Sequence, residues 1–156
     1  MIIRAPGRLD VLPSNMPLFF LAGSIEMGKA VEWQAQLEEA LDLQAVVLNP
    51  RRLDWDSSWK QDISDRQFKK QVVWELEALE LATYILMYFD PATKSPISLL
   101  ELGLHARSSK LVVCCPEGFW RKGNVDIVCQ RYNVWQVQTL DALVKRAQAL
   151  ARGELK

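Results

Sequence analysis

Tyr84-Ile85-Leu86-Met87-Tyr88-Phe89-Asp90-Pro91-Ala92-Thr93-Lys94-Ser95-Pro96 runs from an unbroken apolar stretch through a polar turn into a pair of residues that opens helices. The apolar run is short and flanked by turn residues, which fits a strand buried on both faces. Ser95 followed by Pro96 matches a cap and the first helical position, where the missing proline N–H costs nothing. Strand, turn and helix in that order make one half of a βαβ crossover.

The same alternation extends in both directions. Leu18–Ala22 is a short apolar run stopped by Gly23-Ser24, and residues 29–41 carry a helical period through Val31, Gln34, Leu37 and Leu41. Ala45–Leu48 is a second buried strand, ended by Asn49-Pro50, and residues 51–64 are a long polar loop bearing Trp55 and Trp59. Loops of that length in a compact domain are usually functional. Residues 65–82 then read as helix, followed by the strand at 84–89 and a helix over 96–108. Leu111–Cys115 is a fourth strand, Asn124–Arg131 a short helix, Val134–Val137 a fifth strand, and Leu140–Ala151 a closing helix. Residues 1–16, irregular and rich in Pro and Gly, are expected to form an N-terminal arm, with a single domain over 17–156. Short strands separated by helices predict an α/β fold with a mainly parallel, five-stranded sheet covered on both faces. In such a sheet ligands bind at the carboxyl ends of the strands. The candidate site therefore draws on Gly23-Ser24, Asn49-Pro50, residues 90–95 and residues 116–124.

Composition narrows the function. The 156 residues hold 19 basic and 19 acidic side chains, so no net field recommends a nucleic-acid polymer as partner. No apolar run approaches a membrane span, and the opening MIIRAPGRLDVLPSNMP lacks the core of a signal peptide. The 3 cysteines, Cys114, Cys115 and Cys129, suggest neither a disulfide framework nor a zinc site. A cytoplasmic protein without metal or cofactor, and with no membrane partner, is expected.

Two carboxylates stand out. On helix 65–82, Phe68, Val72, Leu76 and Leu79 form an apolar stripe at ~100° per residue, and Glu75 falls inside it. On helix 96–108, apolar around most of its girth, Glu101 lies beside Ile97 and Leu104. Burial of either group is costly without partners and raises its pKa. The alternatives are an edge position reaching solvent or an arginine for Glu75, and an ion pair with His105 or a lysine for Glu101. Two carboxyls near one strand end could instead serve as nucleophile and proton carrier.

The segments Phe20-Leu-Ala-Gly-Ser-Ile25, Gln71-Val-Val-Trp-Glu75 and Ser95-Pro-Ile-Ser-Leu-Leu-Glu-Leu-Gly103 resemble the nucleoside 2-deoxyribosyltransferase superfamily. Asn49-Pro-Arg-Arg52 and Gly118-Phe-Trp-Arg-Lys-Gly-Asn124 are similar to its nucleoside 2-deoxyribosyltransferase-like branch. The likeness covers about residues 17 to 138. It implies a flavodoxin-like (Rossmann-like) three-layer domain that cleaves or exchanges the N-glycosidic bond of a (2′-deoxy)nucleoside or its 5′-monophosphate. In this resemblance Glu101 matches the nucleophile and Glu75 the acid that handles the base. Gly23, Ser24 and Ile25 match the glycine-rich turn, and Asn124 matches an asparagine reaching a neighbouring subunit's sugar. A homodimer or larger homo-oligomer is implied with it, although Asn124 can also be read as a helix cap. Ser95 stands where the family often carries an aspartate, and the helix acid is one methylene longer than usual. Ser24 and Ser95 suit a phosphate as well as a hydroxyl, and Ser98 is a further candidate for binding substrate. Trp55 and Trp59 could stack on a base or pack as a lid. A pocket that binds nucleotides without turnover is the competing reading.

Overall fold

The computed structural model describes residues 1–25, 30–52, 56 and 58–155. Its elements are β1 (Ile2–Arg4), β2 (Leu18–Gly23), α1 (Trp33–Ala40), β3 (Val46–Asn49), α2 (Arg66–Leu81), β4 (Tyr84–Tyr88), α3 (Pro96–His105), β5 (Leu111–Cys114), α4 (Lys122–Tyr132), β6 (Trp135–Val137) and α5 (Leu140–Ala151). The strands form one sheet in the order β1-β3-β2-β4-β5-β6. Every pairing is parallel.

The strand residues alternate between two cores, as a pleat covered on both sides requires. Phe20, Ala22, Leu48, Ile85, Met87, Val113 and Cys115 face Trp74, Ala78 and Leu79 of α2, Leu102 of α3, and Val125 and Cys129 of α4. Phe19, Leu21, Val47, Leu86, Tyr88, Val112 and Cys114 face Trp33 and Leu37 of α1 and Leu143, Ala147 and Leu150 of α5. The result is a flavodoxin-like, three-layer α/β architecture, with consecutive Cys114 and Cys115 on opposite faces. All three cysteines are free and buried. Among the described residues no helix is long and apolar enough to cross a membrane.

The sheet has six strands, where the sequence suggests five. The extra strand comes from the segment expected to be irregular: Ile2, Ile3 and Arg4 pair with Val47, Leu48 and Asn49. Beside this pairing, a polar network that no hydropathy pattern records meets β1 at Arg4. Arg4 forms an ion pair with Glu38 of α1, and Glu38 Oε1 accepts from Asn49 Nδ2 at 2.8 Å. Asn49 Oδ1 in turn accepts from the Arg51 backbone N–H at 2.8 Å. The Asn49-Pro50-Arg51-Arg52 segment therefore begins as a buried junction of β1, α1 and β3.

Two helix boundaries and the buried face of a third helix differ from the sequence reading. The helix expected over 29–41 spans Trp33–Ala40. The helix expected from Asn124 starts at Lys122, with Arg121 at the cap position, so Asn124 lies inside the first turn and is no cap. On α2 the buried residues are Gln71, Trp74, Ala78 and Leu79, whereas Leu76 is 43% exposed. The buried stripe is thus rotated from the one that periodicity suggests.

Candidate active site

Strand order reverses at β2: β3 lies on one side of it and β4 on the other. The carboxyl ends of β2 and β4 therefore border the crevice where open parallel sheets bind ligands. Gly23 closes β2 there with φ +138°, and a Cβ on it would sit 2.3 Å from the Tyr88 carbonyl oxygen. Only glycine allows β2 and β4 to remain this close at their ends.

Immediately beyond, three hydroxyls meet. Ser24 Oγ lies 2.5 Å from Ser95 Oγ and 2.8 Å from Thr93 Oγ1, and Thr93 and Ser95 are 2.7 Å apart. Ser24 Oγ also accepts the Asp90 backbone N–H at 2.8 Å. Ser24, Thr93 and Ser95 are all buried, at 1%, 3% and 4% exposure. The structure thus brings Ser24 and Ser95, both candidates for binding substrate, together as an internal latch between the end of β2 and the turn into α3. Ser95 takes a left-handed conformation, φ 48° and ψ 53°, a placement that costs a non-glycine residue and persists only where neighbours fix it. Asp90 extends the latch: its Oδ2 accepts from Val31 N and its Oδ1 from Ala92 N, both at 2.9 Å. Thr93 and Asp90 carry no role in the sequence reading, although both lie in the strand-end segment it singles out.

The two carboxylates project from α2 and α3, helices that cover the same face of the sheet and both pack against β2. Glu101 is 8% exposed. Burial, with the charge of Glu75 added to it, pushes its carboxyl up to about 8. Among the described residues no ion pair reaches it, from His105 or from any lysine. Glu75 is also raised by burial, and a hydrogen bond from Gln71 opposes that rise. Gln71 Nε2 donates to Glu75 Oε1 at 2.7 Å and to the Pro50 carbonyl oxygen at 2.9 Å. The edge-and-arginine alternative for Glu75 finds no support among these contacts.

Of the remaining candidates, Ser98 is buried on α3 beside Glu101, and Ile25 is partly buried next to Ser24. Trp59 carries the Arg52 guanidinium over its ring at 4.7 Å. Trp55 lies outside the described residues. Asn124 lines a separate groove of about 310 Å³ with Leu99, Leu102, Gly103, Arg121 and Val125. A second groove of about 620 Å³ lies between the N-terminal segment and α2, lined by residues that include Pro6, Arg66, Lys69, Lys70 and Trp74. Neither groove is lined by Glu75, Glu101, Gly23 or Ser24, so the common pocket expected for those four is not one of these two.

Helix α3 departs from expectation on its outer side. Ile97, Leu100 and Leu104 are each 59% exposed, whereas a helix apolar around most of its girth is expected to be covered on more than one side. A Cβ on Gly103 would touch nothing within 4 Å, so none of the described residues packs closely there.

The profile of the family described as nucleoside 2-deoxyribosyltransferase like matches residues 17–119, from the start of β2 through the turn after β5. The chain belongs to that family. Nucleoside 2-deoxyribosyltransferase-like membership relates it to nucleoside deoxyribosyltransferases and supports a glycosyl-transfer role in general terms. No curated protein matches the chain. A solved structure with the same fold is the "conserved protein from Enterococcus faecalis V583", which is 14% identical and superposes with a TM-score of 0.61. The match covers 90% of this chain and 99% of that one. In this nucleoside 2-deoxyribosyltransferase-like chain the matched region holds both carboxylates and the hydroxyl latch, whereas Asn124 falls beyond it.

Proposed function

We propose that the protein cleaves or exchanges the N-glycosidic bond of a (2′-deoxy)nucleoside or its 5′-monophosphate through a covalent glycosyl-Glu101 intermediate. The observation that carries this reading is the pair of carboxyls on α2 and α3, Glu101 buried and Glu75 partly buried, one feeling the charge of the other, beside the strand-order reversal. Two carboxyls that cannot comfortably ionise together tend to hold one proton between them. That is the stock a retaining glycosyl transfer needs.

In the first step the Glu101 carboxylate bonds to the anomeric carbon as the C–N bond breaks. The electron pair of that bond leaves with the base, which takes a proton from Glu75. In the second step a water or an acceptor base attacks the anomeric carbon and Glu101 departs as carboxylate. Glu75 recovers the proton from the attacking group. Water as acceptor gives hydrolysis, and a base gives transfer. The active form is the one with Glu101 ionised and the proton on Glu75. The hydroxyl latch fixes the first turn of α3 and, through it, the position of Glu101.

We place the work in a homo-oligomer in which a second copy covers Ile97, Leu100 and Leu104. The groove holding Asn124 lies along the same helix, so a partner docked there reaches residues next to Glu101. The decisive experiment incubates the protein with deoxynucleosides, ribonucleosides and their 5′-monophosphates, with and without a free base. Release or exchange of base is the expected result. Tight nucleotide binding without release would replace the enzyme with a sensing module.

A further inference from the structure

Gln71 is buried at 3% exposure in the face of α2 that packs on the sheet, where an amide is unusual. Its orientation is not ambiguous, as side-chain amides often are. The Pro50 carbonyl oxygen can only accept, so the group facing it at 2.9 Å must be the NH₂. The second hydrogen of that NH₂ then points to Glu75 Oε1 at 2.7 Å. Turning the amide over would set its oxygen against a carbonyl and a carboxylate together. The present orientation holds although Gln71 Oε1 is buried with no partner among the described residues.

We infer that Gln71 is a positioning residue: it pins Glu75 Oε1 to the end of β3 and leaves Oε2 as the oxygen that loads and releases the proton. This rests on the glycosyl-transfer reading for its purpose, though not for its geometry. A donor fixed on one carboxylate oxygen favours the anion, so Gln71 makes Glu75 a stronger acid toward a departing base. The neighbouring charges do not supply this effect. From α3 the charge coupled to Glu75 is that of Glu101, which is of like sign. On the segment after β3, Arg52 lies over the Trp59 ring and Arg51 beside Glu32. At the end of β4, Asp90 is occupied by the Val31 and Ala92 N–H groups. Gln71 alone is bonded to the Glu75 carboxyl among the described residues. The bond also ties the acid to Pro50, where the loop carrying Trp59 begins.

The test follows the Glu75 carboxyl by carbon-13 NMR, with glutamate side chains labelled and the resonance assigned through Glu75→Gln. The full-length protein is titrated as wild type, Gln71→Met and Gln71→Asn. Methionine keeps the volume and removes the donor, whereas asparagine keeps an amide but withdraws it by one methylene. The Glu75 midpoint should move to higher pH in both variants, and either variant that stays folded by circular dichroism suffices. An unmoved midpoint in a folded variant overturns the inference, whatever the enzyme assays show. A raised midpoint in a protein that releases no base upholds the role of Gln71 and leaves the glycosyl-transfer reading to fail by itself. Where base release is measurable, its pH profile should shift to higher pH with kcat reduced and KM little changed. Loss confined to KM would also overturn the inference.

Discussion

At Glu101 the cost of burying a charge and the proposed nucleophilic role pull in opposite directions. Its carboxyl is raised from 4.5 to about 8 by burial and by Glu75. The unfolded chain gives up that proton near the ordinary value while the folded chain keeps it, so the unfolded state binds fewer protons between the two. Stability should therefore fall as pH rises from about 4.5 to 8 and level off above. Glu101→Gln removes the ionisation, and it should raise the melting temperature more at pH 8.5 than at pH 5. Equal effects at both pH values would mean that Glu101 is not held protonated. The same substitution should lower base release by several orders of magnitude, because the attacking oxygen is gone. Glu75→Gln should be milder with substrates whose base leaves without protonation, and single-turnover rates across a series of leaving groups would show it. Gly23 is a purely structural counterpart. Gly23→Ala would press a methyl against the Tyr88 carbonyl at 2.3 Å, and should cost on the order of 3 kcal/mol or more in a denaturant titration.

Among the elements, α3 is used on both sides. Its inner side carries Ser98, Glu101 and Leu102 to the sheet, and its outer side shows Ile97, Leu100 and Leu104. Covering such side chains is worth roughly 1.5–3 kcal/mol each when complete. Leu100→Lys should accordingly shift the protein toward monomer in analytical ultracentrifugation while its melting temperature changes little. A wild type that sediments as monomer at micromolar concentration would remove the assembly. Helix α2 shows where sequence reading reaches its limit. Glu75 is legible as an acid within an apolar stripe because Phe68, Val72, Leu76 and Leu79 surround it at helical spacing. The phase of that face is not, because Gln71 and Trp74 are anchored by polar bonds, to the Pro50 and Gly7 carbonyl oxygens. Hydropathy counts an anchored glutamine as a surface residue. The hydroxyl latch escapes for a similar reason: Ser24, Thr93 and Ser95 are common in turns, and only the fold brings them to one point.

Across the whole molecule the alternation of short apolar runs with helices makes the parallel sheet readable, since pattern and topology are linked by crossover geometry. Strand β1 was not readable. It is only Ile2–Arg4, with half-exposed residues and Gly and Pro close behind. It joins the sheet outside β3, skipping β2, so its partners lie more than forty positions along the chain. That arrangement has a kinetic meaning. Pairing β1 with β3 closes a loop that already contains β2 and α1, and β3 offers a free edge only after settling against β2. The amino-terminal strand should thus be the last to dock and the first to open. Amides paired between β1 and β3 should exchange hydrogen through local opening, well ahead of those between β2 and β4, which wait for global unfolding. Since Arg4 holds Glu38, and Glu38 holds Asn49, each opening also releases the far end of the network under Pro50. Fraying at the sheet's amino-terminal edge should thereby set how often the Asn49-Pro50 junction loosens.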